Sequence, residues 1–153
     1  KDIVKGVQQL LDENTKLRKQ LEEQVKQQAL GFKSELEKKK EQVGDIHFIG
    51  STAPIDSPQA IKDLAFQMRN EHERLFLILG ATIKGKANLS VMITDDLVKE
   101  KGLNAGKMIR EIAKEVQGGG GGQPFFATAG GKNPDGIDKA IAKAKALLEE
   151  ELK

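Results

Sequence analysis

The sequence predicts an α/β fold in which one long N-terminal helix leads into a small mixed sheet with helices packed on it. Three observations carry this. Residues 1–43 contain no proline and are rich in Lys, Glu, Gln and Leu, all good helix formers. Two apolar runs, Leu75–Ala81 and Leu89–Thr94, lack the polar alternation of a half-exposed strand, so helices should cover both of their faces. Around them stand several segments with helix start signals and a helical apolar period.

Residues 1–44 read as a separate arm. Val7, Leu10, Leu17, Leu21, Val25, Phe32 and Leu36 recur at spacings of three, four and seven, the signature of one helical face. Asn14 falls between Leu10 and Leu17 at a seam position, where a buried Asn can fix the register of a coiled coil. Gln24, Gln28 and Gly31 interrupt the repeat. Two readings stay open: a helix packed on its own domain or on an antiparallel neighbour, and a seam for a homodimer through Val7, Leu10, Asn14, Leu17 and Leu21. Gly44 is read as the helix C-cap.

Residues 45–153 should form the globular part, about 110 residues, which suffices for one small core. Ile46, Phe48 and Ile49 read as a short strand. Ser57-Pro58 is a helix start, with Ser57 as N-cap and Pro58 in the first turn; this helix runs to about Glu73. After the run from Leu75, Lys84-Gly85-Lys86 makes a turn into the run from Leu89. Asp95 or Asp96 caps a short helix ending near Gly102. Asn104 caps another that buries Met108, Ile109, Ile112 and Val116. A glycine segment follows, and a last helix begins near Asp135. The chain opens at Lys1 in helical pattern, which reads as a piece of a longer protein.

Composition excludes several functions. There is no Cys, so no disulfide, thiolate zinc site or cysteine nucleophile. The apolar runs are too short to cross a membrane. Net charge is only +2, so nucleic-acid binding requires local clustering of basic residues. With no Trp or Tyr, base stacking would rest on Phe or Arg. His47 and His72 are far apart in sequence, and no zinc site is expected. Asp95-Asp96 reads as capping rather than as an acid/base pair. Gly131-Lys132 fails the phosphate-loop pattern at both ends, and Gln123 or Pro124 spoils a dinucleotide fingerprint. No catalytic constellation and no cofactor site is expected.

The glycines 118–122 are the feature these tests leave standing. They are expected to form a loop whose backbone N–H groups face one concavity and bind phosphate; a purely structural turn is the other reading. Charge favours the first. From Lys84 to Lys145 eleven Lys and Arg stand against seven Asp and Glu, an excess larger than that of the whole chain. The candidate site is therefore Gly118, Gly119, Gly120, Gly121, Gly122, Gln123, Gly130, Gly131 and Lys132. To these are added Lys107, Arg110 and Lys114 on one stripe of the preceding helix, and Lys139 and Lys143 on the last helix.

The run from Gly118 through Gln123-Pro124, followed by Ala127-Thr128-Ala129-Gly130-Gly131-Lys132, resembles the signature of the C-terminal, DHHA1-like domain of alanyl-tRNA synthetases. Asn104-Ala105-Gly106-Lys107 is similar to that family's preceding helix. The resemblance implies a parent enzyme that uses ATP to attach alanine to tRNA and edits mischarged tRNA. The parent's ATP and zinc sites lie outside these residues. The partners it implies are tRNA, bound at its elbow by shape, and the parent's own aminoacylation and editing domains. The implied compartment is the cytoplasm. Many family members carry arginine where this chain has Gln123, which shifts the charge to Lys132 or Lys107. A related domain follows the catalytic unit of DHH-type phosphodiesterases, where a histidine usually follows the glycine run. That lobe, and a purely structural dimerisation module, are the alternatives.

Overall fold

The computed structural model of the chain describes residues 2–151. Helix α1 spans Asp2–Lys38, shorter than the sequence predicts. Glu41–Val43 leaves the helix and forms strand β1, antiparallel to β2 (Ile46–Thr52). Gly44, at φ 63°, makes the tight turn between them instead of capping the helix. The cause is burial: Val43 and Ile46 pair across the turn and both enter the core.

Six strands form one mixed sheet in the order β1-β2-β3-β4-β6-β5. Strand β3 is Leu75–Ile83 and β4 is Lys86–Ile93. Lys84 and Gly85, both at positive φ, make the two-residue hairpin turn between them. Strands β2 and β3 are parallel; the other neighbours are antiparallel. Side-chain alternation then divides the core. Phe76, Ile78, Leu89, Val91 and Ile93 point to one face, and Leu75, Leu77, Leu79 and Met92 to the other. Both faces are covered, which is why these strands read as unbroken apolar runs.

Helix α2 (Pro58–Glu71) and the end of α1 cover the second face. Ser57 caps α2, its hydroxyl accepting from the Ala60 amide at 3.3 Å. The first face is covered by α3 (Asp95–Lys101), α4 (Ala105–Ile112) and α5 (Ile137–Glu151), with a 3-10 turn over Ala113–Val116. Thr94 occupies the N-cap of α3 without a side-chain cap bond, while the Asp96 carboxylate accepts from the Arg74 and Leu97 amides, each at 2.9 Å. Gly50 and Gly80 form the floor under α5. A Cβ at Gly50 would meet Ile141 at 2.7 Å, and one at Gly80 would collide with Ile137.

The apolar stripe of α1 is treated differently along its length. Val25, Phe32 and Leu36 pack on the globular part, and the Gln28 amide donates to the Pro54 carbonyl at 2.6 Å. Leu36 is fully buried. Val7, Leu10, Leu17 and Leu21, on the same stripe, are 50–65% exposed. Among the described residues no helix is long and apolar enough to cross a membrane.

Candidate nucleic-acid interface

The glycine run is an edge strand, not a concave loop. Gly118–Gly122 forms β5, antiparallel to β6 (Phe126–Gly131), joined through Gln123, Pro124 and Phe125. Gln123 and Phe126 bond each other in both directions, at 2.7 and 3.3 Å. Alternation from that pair directs the N–H and C=O of Gly121 and Gly119 toward β6. Those of Gly118, Gly120 and Gly122 point to the outer edge, where no further strand lies among the described residues. The expected concavity is thus replaced by a straight row along an edge strand.

The five glycines serve two different ends. A Cβ at Gly118, Gly120 or Gly122 would run into the backbone of β6, so packing alone demands glycine there. At Gly119 a Cβ would meet nothing within 4 Å, and at Gly121 it would meet only the Arg110 guanidinium at 3.8 Å. Packing does not require glycine at these two positions. Their bareness leaves this face of the strand without side chains of its own, with Arg110 over Gly121.

Helix α4 brings basic side chains to this strand. The Asn104 side chain accepts from the Lys107 amide at 3.1 Å and caps the helix. The Ala105 amide donates to the Pro124 carbonyl at 2.9 Å, tying the helix start to the hairpin tip. A Cβ at Gly106 would lie 2.9 Å from the Gly122 carbonyl, so glycine lets helix and strand touch. Lys107 is exposed one residue further on, and Arg110 lies one turn along, over Gly121. The predicted alignment of Lys114 with these two is not realised. The α-helix stops at Ile112, Lys114 falls on the 3-10 turn, and its ammonium is held by Glu111 at 3.2 Å.

Gly118 pairs with Gly131, which places Lys132 just past the far end of the glycine strand. Lys139 is exposed on α5, whereas Lys143 is partly buried and pairs with Glu115 at 3.6 Å. Among the described residues Lys107, Arg110, Lys132 and Lys139 make no ion pair, so their charges face solvent uncompensated. Gln123 is exposed at the hairpin tip.

Sequence reasoning missed a cluster beside that tip. The Arg69 guanidinium lies 4.5 Å from the Phe125 ring centroid and bonds Asp95 at 2.6 Å. Phe66 packs against Phe126 at 5.2 Å between centroids. These contacts fix the hairpin tip to α2 and α3. The run Pro124-Phe125-Phe126 was the signal: two adjacent aromatics after a turn proline need apolar partners, and both find them on α2.

Residues 45–150 match the model of the DHHA1 domain family. The chain is 46% identical over 149 residues to the alanine–tRNA ligase of Cytophaga hutchinsonii; the match covers 97% of this chain and 17% of that protein. The chain thus spans about a sixth of the length of the relatives it matches. The crystal structure of the C-Ala domain from Aquifex aeolicus alanyl-tRNA synthetase superposes with a TM-score of 0.65 at 28% identity, over 72% of this chain and 98% of that one. A DHH-domain member of the s1p family of ribosomal proteins shares the fold alone, with a TM-score of 0.52 at 11% identity over 86% of this chain and 33% of that one. The glycine edge strand, the helix capped by Asn104 and the long leading helix thus stand on a chain that belongs to the DHHA1 domain family and is homologous to the C-terminal part of alanine–tRNA ligases.

Proposed function

We propose that this chain is the tRNA-holding C-terminal part of an alanine–tRNA ligase, acting in the cytoplasm. Residues 1–44 serve as the arm and residues 45–153 as the binding body. The observation that carries this is the glycine edge: outward N–H groups at Gly118, Gly120 and Gly122, bare positions at Gly119 and Gly121, and Arg110 over the strand. Such a row suits phosphate and sugar, so it recognises the fold of tRNA more than its base sequence. The elbow is the matching shape. In this reading the attachment of alanine, its use of ATP, and the removal of wrong amino acids belong to the parent's other domains. This chain keeps tRNA within their reach.

Fluorescence anisotropy of labelled tRNA(Ala), repeated across a KCl series, tests it. Saturable binding that weakens log-linearly with salt is the expected outcome. Absence of saturable binding at low salt would sink the reading. The chain incubated with alanine, ATP and tRNA should produce no alanyl-tRNA.

A second partner follows from the bare half of the α1 stripe. Val7, Leu10, Asn14, Leu17 and Leu21 form a heptad seam with Asn14 at an a position. In a parallel pair Asn14 meets its own copy, and Glu13 at g faces Arg18 of the partner subunit at e. We infer that a second copy of this chain covers the stripe. Sedimentation equilibrium should report a monomer–dimer equilibrium that Leu17→Asp abolishes; a strict monomer at high concentration refutes it.

A further inference from the structure

A cluster far from the glycine edge joins the last turn of α1 to the end of α2. Glu37 lies on α1; Glu71 ends α2 and His72 caps it. One ligand atom from each lies within 4.8 Å of the other two. The His72 side chain is 13% exposed, and the carboxylates are 37% and 49% exposed, so the imidazole is mostly covered while both carboxylates reach water.

The histidine contacts pose a chemical problem. Nδ1 lies 2.9 Å from the Met68 carbonyl, which can only accept, so Nδ1 carries a proton. Nε2 lies 2.7 Å from Glu37 Oε1, a second acceptor. In a neutral imidazole with that proton the Nε2 lone pair faces the carboxylate, a pairing that a cation shared among the three donor atoms relieves. The Lys33 ammonium already pairs with Glu71, a further sign that the two carboxylates draw cations.

We propose that Glu37, Glu71 and His72 form a binding site for a first-row divalent cation, Zn2+ by its donor set. One imidazole and two carboxylates, with water in the fourth position, is a donor set Zn2+ accepts. The Met68 carbonyl supplies what a metal-ligating histidine needs behind it: an acceptor that holds the far N–H and aims Nε2 at the ion. Small side-chain rotations bring the three atoms to the separation of about 3.4 Å that ~2.1 Å bonds impose in a tetrahedron. On binding, Zn2+ takes the Nε2 lone pair and both carboxylates, and Lys33 leaves Glu71. The ion then staples the arm to the globular part.

Calorimetric titration of ZnCl2 into the EDTA-stripped full chain tests this. The expected result is one ion per chain and a higher Tm with Zn2+. His72→Ala and Glu37→Gln, each checked for fold by circular dichroism, should lose the binding. Lys33→Met should tighten it by removing the competing ammonium. No saturable heat with Zn2+, or Zn2+ binding that survives unchanged in both the His72→Ala and Glu37→Gln chains, overturns the proposal.

Discussion

The two edges of the sheet are built in opposite ways. At one, β1 is three residues long and carries side chains: Glu41 pairs with Lys145 at 3.0 Å, and the Gln42 amide folds back on the Gly44 carbonyl at 3.2 Å. Short length and charge are how natural sheets keep their edges from pairing with other chains. At the other, β5 is five residues long with no side chain at all. By the same rule it is an unprotected edge. The contrast teaches that β1 is closed by its own side chains, whereas β5 has none with which to close itself.

Four experiments would break or sharpen that contrast. Gly120→Val should have the largest effect, because its Cβ enters the backbone of β6 at Thr128 and Ala129. Loss of the β5–β6 pairing should cost about 2–3 kcal/mol in urea denaturation and abolish tRNA binding. The double change Gly119→Ala with Gly121→Ala separates recognition from packing. Stability should stay within about 0.5 kcal/mol, since neither methyl meets a close neighbour, yet tRNA affinity should fall about tenfold. Unchanged affinity in that folded protein would make β5 a structural edge only.

Charge effects should be smaller. Arg110→Ala or Lys132→Ala should lower the slope of log K against log salt by about one each, equally for tRNAs of any specificity. Lys114→Ala should do less, because Glu111 already engages that ammonium. The smallest effect concerns acid. Burial alone would raise the Asp96 carboxyl, but the Thr94 hydroxyl, the Arg74 and Leu97 amides and the Arg74 charge outweigh it and hold it below its ordinary 3.8. Asp45, ion-paired with Arg74 in the β1–β2 turn, is likewise held low. A depressed carboxyl contributes stability above its ordinary value and loses it as pH falls through the folded value. Hydrogen exchange below about pH 3.8 should therefore quicken at the β1 edge before β5, which has no carboxylate to protonate. Simultaneous loosening of both edges would count against this.

Much of the fold was legible in the sequence because packing and capping chemistry are local. Ser57-Pro58 and Asn104 announced their helices, and Leu75–Ala81 announced a strand covered on both faces. Strand β1 was not legible. Glu41-Gln42-Val43 continues a run of good helix formers, and only the burial of Val43 against Ile46, a tertiary contact, draws it into the sheet. The glycine strand was misread as a loop because intrinsic preference argues against glycine in strands. The missing cue was symmetry: five small residues on each side of a four-residue connection, Gly118–Gly122 and Ala127–Gly131, are two arms of one hairpin. The interruptions in the α1 repeat were read as weakness, yet Gln28 is where the helix docks on Pro54.

That docking gives the arm a second consequence, one of phase. At 37 residues α1 is about 55 Å long, and the part before Val25 projects about 34 Å beyond its anchorage. One stripe faces the globular body over Val25–Leu36 and open solvent over Val7–Leu21, so the two are locked to a common angle by the helical repeat. One residue inserted between Leu21 and Val25 would lengthen the arm by only about 1.5 Å but turn the bare stripe by about 100° relative to the body. The helix is thus a protractor as well as a spacer. The direction in which the glycine edge faces, relative to whatever grips the far end, is written in the number of residues between two leucines, Leu21 and Leu36.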